Sequence, residues 1–149
     1  MKIRDIIKQQ ERSLSFEFFV PKSEEGESLL VENMRRLEAL SPTFVSVTQS
    51  AMGNSPKNSR RMVTRIKKET SLEPMPHVVC VDQSKGELRN ALEAYTTIGV
   101  ENILALRGDP PQGISEFHPA EDGFSHAKDL VELAASLKSF SIGVAAYPE

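Results

Sequence analysis

Glu17 is an acid inside the aromatic run Ser15-Phe16-Glu17-Phe18-Phe19. An ionised carboxylate buried there without a partner is costly, so its pKa is expected to rise, which suits a general acid near neutral pH. The competing reading is a strand position facing solvent or a polar helix. Arg107, Gly108 and Asp109 follow the apolar run ending at Leu106. There a glycine lets a ligand approach the backbone and the flanking charges can orient it, or the arginine and aspartate pair to hold a loop. Thr48 ends a β-branched run and offers a hydroxyl to a ligand or to its own loop. Tyr147 can stack on a ring or finish a core. His77 opens the run that continues to Val81, a position that pattern alone assigns to stability. Cys80, the single cysteine, lies among valines and reads as a small buried hydrophobe. His118 and His126 share no metal-ligand spacing with each other or with Cys80, so no metal is expected.

These residues need elements to hold them. Leu14 to Val20, closed by Pro21, reads as a buried strand, and Ser23 before Glu24, Glu25 and Glu27 starts a helix whose apolar face carries Leu30, Met34 and Leu37. Phe44 to Thr48 is a second strand. Asn58 or Ser59 caps the next helix, with Met62, Val63 and Ile66 on its buried face. His77 to Val81 is a third strand. Ser84 and Glu87 have capping-box spacing, and Gly99 stands where that helix should stop. Asn102 to Leu106 is a fourth strand, and the loop from Arg107 to about Phe124 contains Pro110, Pro111, Gly113 and Pro119. Ser125 is placed to cap a helix carrying Leu130, Val131, Ala134 and Leu137, and Ser141 to Ala146 reads as a fifth strand.

Strands alternating with helices imply a parallel sheet with right-handed crossovers, and both parallel architectures place their sites beyond the carboxyl ends of the strands. Periodicity does not choose between an open sheet and a barrel. The absence of GxGxxG after the first strand and of GxxxxGK[ST] anywhere disfavours a dinucleotide-binding sheet and a phosphate loop, which favours the barrel. The formal net charge of −3 supplies no cationic surplus for nucleic acid or an anionic membrane. The charged, amphipathic stretch Met1 to Glu11 is unlike a signal peptide, and a cytoplasmic protein is expected.

Taken together, SFEFFVPK at 15–22, FVSVT at 44–48, PHVVC at 76–80, NILALRGDPP at 102–111 and VAAYPE at 144–149 resemble, in order, the strand motifs of the methylenetetrahydrofolate reductase family. The resemblance implies a (β/α)8 TIM barrel that binds FAD at the carboxyl ends of its strands. It implies reduction of methylenetetrahydrofolate to methyltetrahydrofolate with a reduced nicotinamide as donor. By the same resemblance Glu17 is the general acid that protonates the folate's bridging nitrogen, and Asp109 is the aspartate beside flavin and pterin, acting through its charge. Thr48, Ala51, His77, Arg107, Gly108, Asp109, Ala127 and Tyr147 match positions that contact flavin or nicotinamide.

The chain departs from the family at Gln49 and Ser50, where bacterial enzymes commonly carry tyrosine and glycine, and at His126, where a tyrosine is usual. The resemblance also implies a barrel truncated here to about five β/α units within a single domain over 1–149. The expected parent is a homo-oligomer or works with an accessory electron-transfer subunit, and the isolated fragment is expected to be inactive. Two alternatives remain open: a non-catalytic half-barrel serving assembly or binding, and another barrel enzyme using Glu17 without flavin.

Overall fold

The computed structural model describes residues 1–49, 56–110, 113 and 118–146. In chain order the elements are α1 (Ile3–Ile7), β1 (Ser15–Phe19), α2 (Glu24–Leu37) with a 3-10 turn at Glu38–Leu40, β2 (Phe44–Thr48), α3 (Pro56–Glu69), β3 (Pro74–Val79), α4 (Lys85–Thr97), β4 (Asn102–Leu106), α5 (Ala127–Ser136) and β5 (Ser141–Val144). All neighbouring strands pair in parallel, in the order β1-β2-β3-β4-β5. A doubly wound sheet reverses its order at a switch point, whereas a barrel adds each strand beside the last. This sheet has no reversal. The topology thus decides what hydrophobic periodicity left open: the described chain is four consecutive β/α units and a fifth strand of a barrel.

Strand side chains alternate between faces. Val45, Val47, Val78, Cys80, Ile103 and Ala105 join one core with Met34 of α2, Met62 and Ile66 of α3, Leu88 and Leu92 of α4, and Leu130 of α5. Every helix of the crossovers therefore covers the same face. Glu17, Ser46, Met75, His77 and Leu104 occupy the alternate positions and form the open face, which in a closed barrel is the interior.

Local signals explain most boundaries. The Ser23 hydroxyl accepts from the Gly26 amide at 3.1 Å, while the Ser84 hydroxyl accepts from the Glu87 amide at 3.2 Å and the Glu87 carboxylate from the Ser84 amide at 2.9 Å. Gly99 ends its helix with φ +77°. Besides β1, which starts at Ser15 and not Leu14, three starts differ from the sequence reading. Helix α3 begins at Pro56, whose ring presets a helical φ at the first position, and Ser59 is buried and donates to the Thr48 carbonyl at 3.3 Å instead of capping. The cap of α5 is His126 rather than Ser125, its amide donating to Asp129 Oδ2 at 3.3 Å. Strand β3 begins at Pro74 rather than His77. Its prolines are tolerated because pairing with β4 starts only at His77, while β2 bonds to this stretch through the Glu73 carbonyl, which accepts from the Val45 amide at 2.9 Å. The fifth strand stops at Val144, two residues before its expected end.

At the amino ends of the strands, the buried Asn102 side chain accepts from the Ile3 amide at 2.7 Å and donates to the Met1 carbonyl at 2.8 Å and to Glu73 at 2.9 Å. It fastens α1 beneath the sheet. Between α2 and α3, Glu27 is only 2% exposed and is held by a two-point bond from Arg61, with Nη2–Oε1 at 2.5 Å and Nε–Oε2 at 3.2 Å.

Candidate active site

Two groups of side chains gather at the carboxyl ends of the strands. The first is on the open face of β1, β2 and β3. Glu17 faces Ser46 in register and Phe19 faces Thr48. The Ser46 hydroxyl reaches Glu17 Oε2 at 3.4 Å and the Thr48 hydroxyl reaches Oε1 at 3.4 Å. His77 Nε2 lies 3.9 Å from Oε2, and this buried nitrogen has no hydrogen-bond partner among the described residues. Burial holds the His77 imidazole below the ordinary histidine range, with the Glu17 charge opposing that shift. The ring is thus neutral near pH 7.

The structure corrects two expectations. The Glu17 side chain is 53% exposed and not buried among the neighbouring phenylalanines. Phe16 and Phe18 face the helices, and alternation turns Glu17 the other way, onto a face that these five strands leave uncovered. His77 is the fourth residue of β3 rather than its first, which moves it from the end associated with stability into the half of the strand that leads to the site. Pro74 and Pro76 had concealed the true start.

The second group lies above β4 and β5. A cleft of about 680 Å³ is lined by Arg107, Gly108, Asp109, His126 and Ala127, with Leu106 and Val144 among its walls. The Arg107 carbonyl accepts from the Cys80 amide at 3.1 Å and the Val81 amide at 3.0 Å, so the loop after β4 is tied to the end of β3. Gly108 has φ +84°, and a Cβ on it would come within 2.7 Å of Val81 Cγ1. Glycine is required there by the loop's own packing, whatever ligand approaches it. The Ser84–Gly123 bridge and the Lys85 ammonium, 5.6 Å from the centroid of the Phe124 ring, fix the far end of the loop.

The cleft and the polar group on β1 to β3 have room, donors and acceptors for a large polar cofactor: a backbone approach at Gly108, charges at Arg107 and Asp109, and a nitrogen on His77 unsatisfied by the described residues. Cys80 contributes no nucleophile. Burial, with the Asp129 charge adding to it, pushes its thiol up to about 11, and Sγ lies 3.8 Å from the His126 carbonyl oxygen. Of the residues expected at the site, Glu17, Thr48 and His77 come together in the first group and Arg107, Gly108, Asp109 and Ala127 in the second. Ala51 and Tyr147 lie outside the described residues. Ser46 was missed by the sequence reading. The signal was present, because in Val45-Ser46-Val47-Thr48 the serine shares a face with Thr48, but only strand register shows that it lies opposite Glu17.

A family model described as methylenetetrahydrofolate reductase matches residues 2–149. The Arabidopsis thaliana protein named methylenetetrahydrofolate reductase (NADH) 1 is 39% identical over 150 residues, which cover 99% of this chain and 25% of that protein. The Salmonella typhimurium 5,10-methylenetetrahydrofolate reductase is 39% identical over 141 residues, covering 95% of this chain and 46% of that enzyme. The chain therefore spans less than half the length of these relatives. A chain from the structure of the tryptophan synthase a2b2 complex of Pyrococcus furiosus superposes with a TM-score of 0.56 at 14% identity, over 92% of this chain and 59% of its own. That likeness concerns the fold alone.

Proposed function

The chain belongs to the methylenetetrahydrofolate reductase family, and from that premise we propose that the protein carrying it is an FAD-dependent oxidoreductase. In this reading it reduces methylenetetrahydrofolate to methyltetrahydrofolate with electrons from a reduced nicotinamide, the donor named as NADH for the plant relative. In this reading strands beyond these five complete the barrel. The observation that carries the proposal is the placement of Glu17 on the open face, with hydroxyls from Ser46 and Thr48 and the imidazole of His77 converging on one carboxyl group.

FAD, when bound, supplies the hydride chemistry. Thr48, His77, Arg107, Gly108, Asp109 and Ala127 are the described residues proposed to hold it, with Ala51 and Tyr147 joining them from outside that set. Glu17 is proposed to hold a proton and deliver it to the folate's bridging nitrogen, opening the five-membered ring to an iminium that accepts hydride. A closed interior and bound ligands would cover Glu17, and burial of that kind favours the protonated form of a carboxyl. Asp109 places a negative charge beside the cleft, where it stabilises the substrate cation and orients the folate.

The test uses the flavin-loaded protein with its complete barrel, followed by stopped-flow flavin absorbance. Glu17→Gln should leave flavin reduction by the nicotinamide intact and slow flavin reoxidation by methylenetetrahydrofolate roughly 10²–10⁴-fold, the usual worth of a positioned general acid. A normal folate half-reaction in this variant removes Glu17 from the role.

A further inference from the structure

Ser46 stands on β2 between two residues of the helix-facing core, and it is 5% exposed. Its hydroxyl donates to Glu17 Oε2 at 3.4 Å, on the same oxygen that lies 3.9 Å from the unpartnered His77 Nε2. Thr48 occupies the other oxygen, Oε1, and so does not replace it. Resting on the reading of Glu17 as the general acid, we propose that Ser46 is a positioning residue. Its hydroxyl holds Oε2 beside His77 and thereby sets both the direction of the carboxyl and the pH range over which it carries a proton.

The physical reason lies in what a general acid must do. Glu17 has to bind a proton and then release it as the substrate nitrogen accepts it, leaving a carboxylate. A hydroxyl donor stabilises that carboxylate, favouring release in the transition state. Among the described residues, the groups facing Glu17 are the Ser46 and Thr48 hydroxyls from β2 and the His77 imidazole from β3, while the helices pack on the opposite face. His77 is neutral near pH 7 and puts no full positive charge against the carboxylate, so among the described residues the Ser46 and Thr48 hydroxyls are the donors to it. At 3.4 Å the Ser46 bond is long, which makes its expected effect moderate.

The experiment compares wild type, Ser46→Ala, Ser46→Thr and Glu17→Gln in the flavin-loaded, barrel-complete protein. The carboxyl carbon of Glu17 is followed by 13C NMR as pH is varied, its signal identified by loss in Glu17→Gln, and the folate half-reaction is measured on the same samples. Ser46→Ala should move the titration midpoint of that carboxyl upward by roughly half a pH unit and slow the folate step about three- to tenfold. Ser46→Thr, which keeps a hydroxyl, should return both toward wild type. If Ser46→Ala does not accumulate as a flavoprotein, the near-isosteric Ser46→Cys carries the same criterion, since its thiol is a weak donor. An unmoved midpoint overturns the proposal whether or not the rate falls. A normal folate step in Glu17→Gln would instead remove the general-acid reading on which it rests, and the carboxyl titration would still report whether Ser46 holds Glu17.

Discussion

His77 illustrates how strand bounds change the place of one side chain, since it is the fourth residue of β3 and not its first. Its ring is buried, its Nε2 has no hydrogen-bond partner among the described residues, and its pKa is held down by desolvation. In the unfolded chain the ordinary histidine value, about 6.5, applies. Above that pH both states are neutral and His77 has no influence on the pH dependence of stability. Below it the unfolded chain binds a proton that the folded chain resists, so stability falls with pH until the lowered folded value is passed. Urea midpoints between pH 7.5 and pH 5 should therefore decline, and His77→Gln should flatten the upper part of that decline. Equal slopes in the two proteins would mean that His77 charges as readily folded as unfolded. Glu69 and Glu101, whose carboxyls are held low by hydrogen bonds from Arg65 and from the chain's amino group, act at lower pH and are common to both proteins.

At the scale of elements, the loop after β4 is the piece on which the cleft depends. Gly108 has both a left-handed backbone and a side-chain obstacle, since an added Cβ would meet Val81 Cγ1 at 2.7 Å. Gly99 has a comparable φ of +77°, but the nearest atom to an added Cβ is the flexible Lys67 Cε at 4.0 Å. Gly99→Ala should thus cost only backbone strain, about 1–2 kcal/mol. Gly108→Ala adds overpacking and should cost about 2–4 kcal/mol in denaturant melts of the barrel-complete protein. It should also lower flavin content, because the Arg107 carbonyl that ties this loop to Cys80 and Val81 must shift. Equal costs at the two glycines would show that the close approach to Val81 is relieved without moving the loop.

For the whole molecule, β1 and β5 are the two margins of a sheet that pairs every other strand on both sides. Unpaired edges recruit further strands. Phe19 is 69% exposed and Val144 58%, one on each margin, and every apolar square ångström left in water forfeits roughly 25 cal/mol. The 149-residue chain prepared by itself should associate, and light scattering should report a mass that rises with concentration. It should bind FAD poorly and fail to turn over methylenetetrahydrofolate. A monodisperse monomer across that range, active with flavin and folate, would show that these margins need no partner. Among the described residues no helix is long and apolar enough to cross a membrane.

What the sequence by itself determined was local. The caps at Ser23 and Ser84, the stop at Gly99, the apolar faces of the four crossover helices and the succession of strands follow from chemistry acting within a few residues, and they are written in residue types. The motifs also carried the family. What depends on residues far apart in the chain was decided by the tertiary structure. Strand order shows a sheet wound in one direction, a fact about which edges meet, and periodicity contains no such information. Asn102 fastening α1, Glu27 held by Arg61, and Ser46 lying against Glu17 each join residues 29 or more apart. The exposure of Glu17 was decided the same way. An acid among phenylalanines reads as buried along the chain, but a strand turns successive side chains to opposite faces, and only the arrangement of helices around the sheet shows which face is covered.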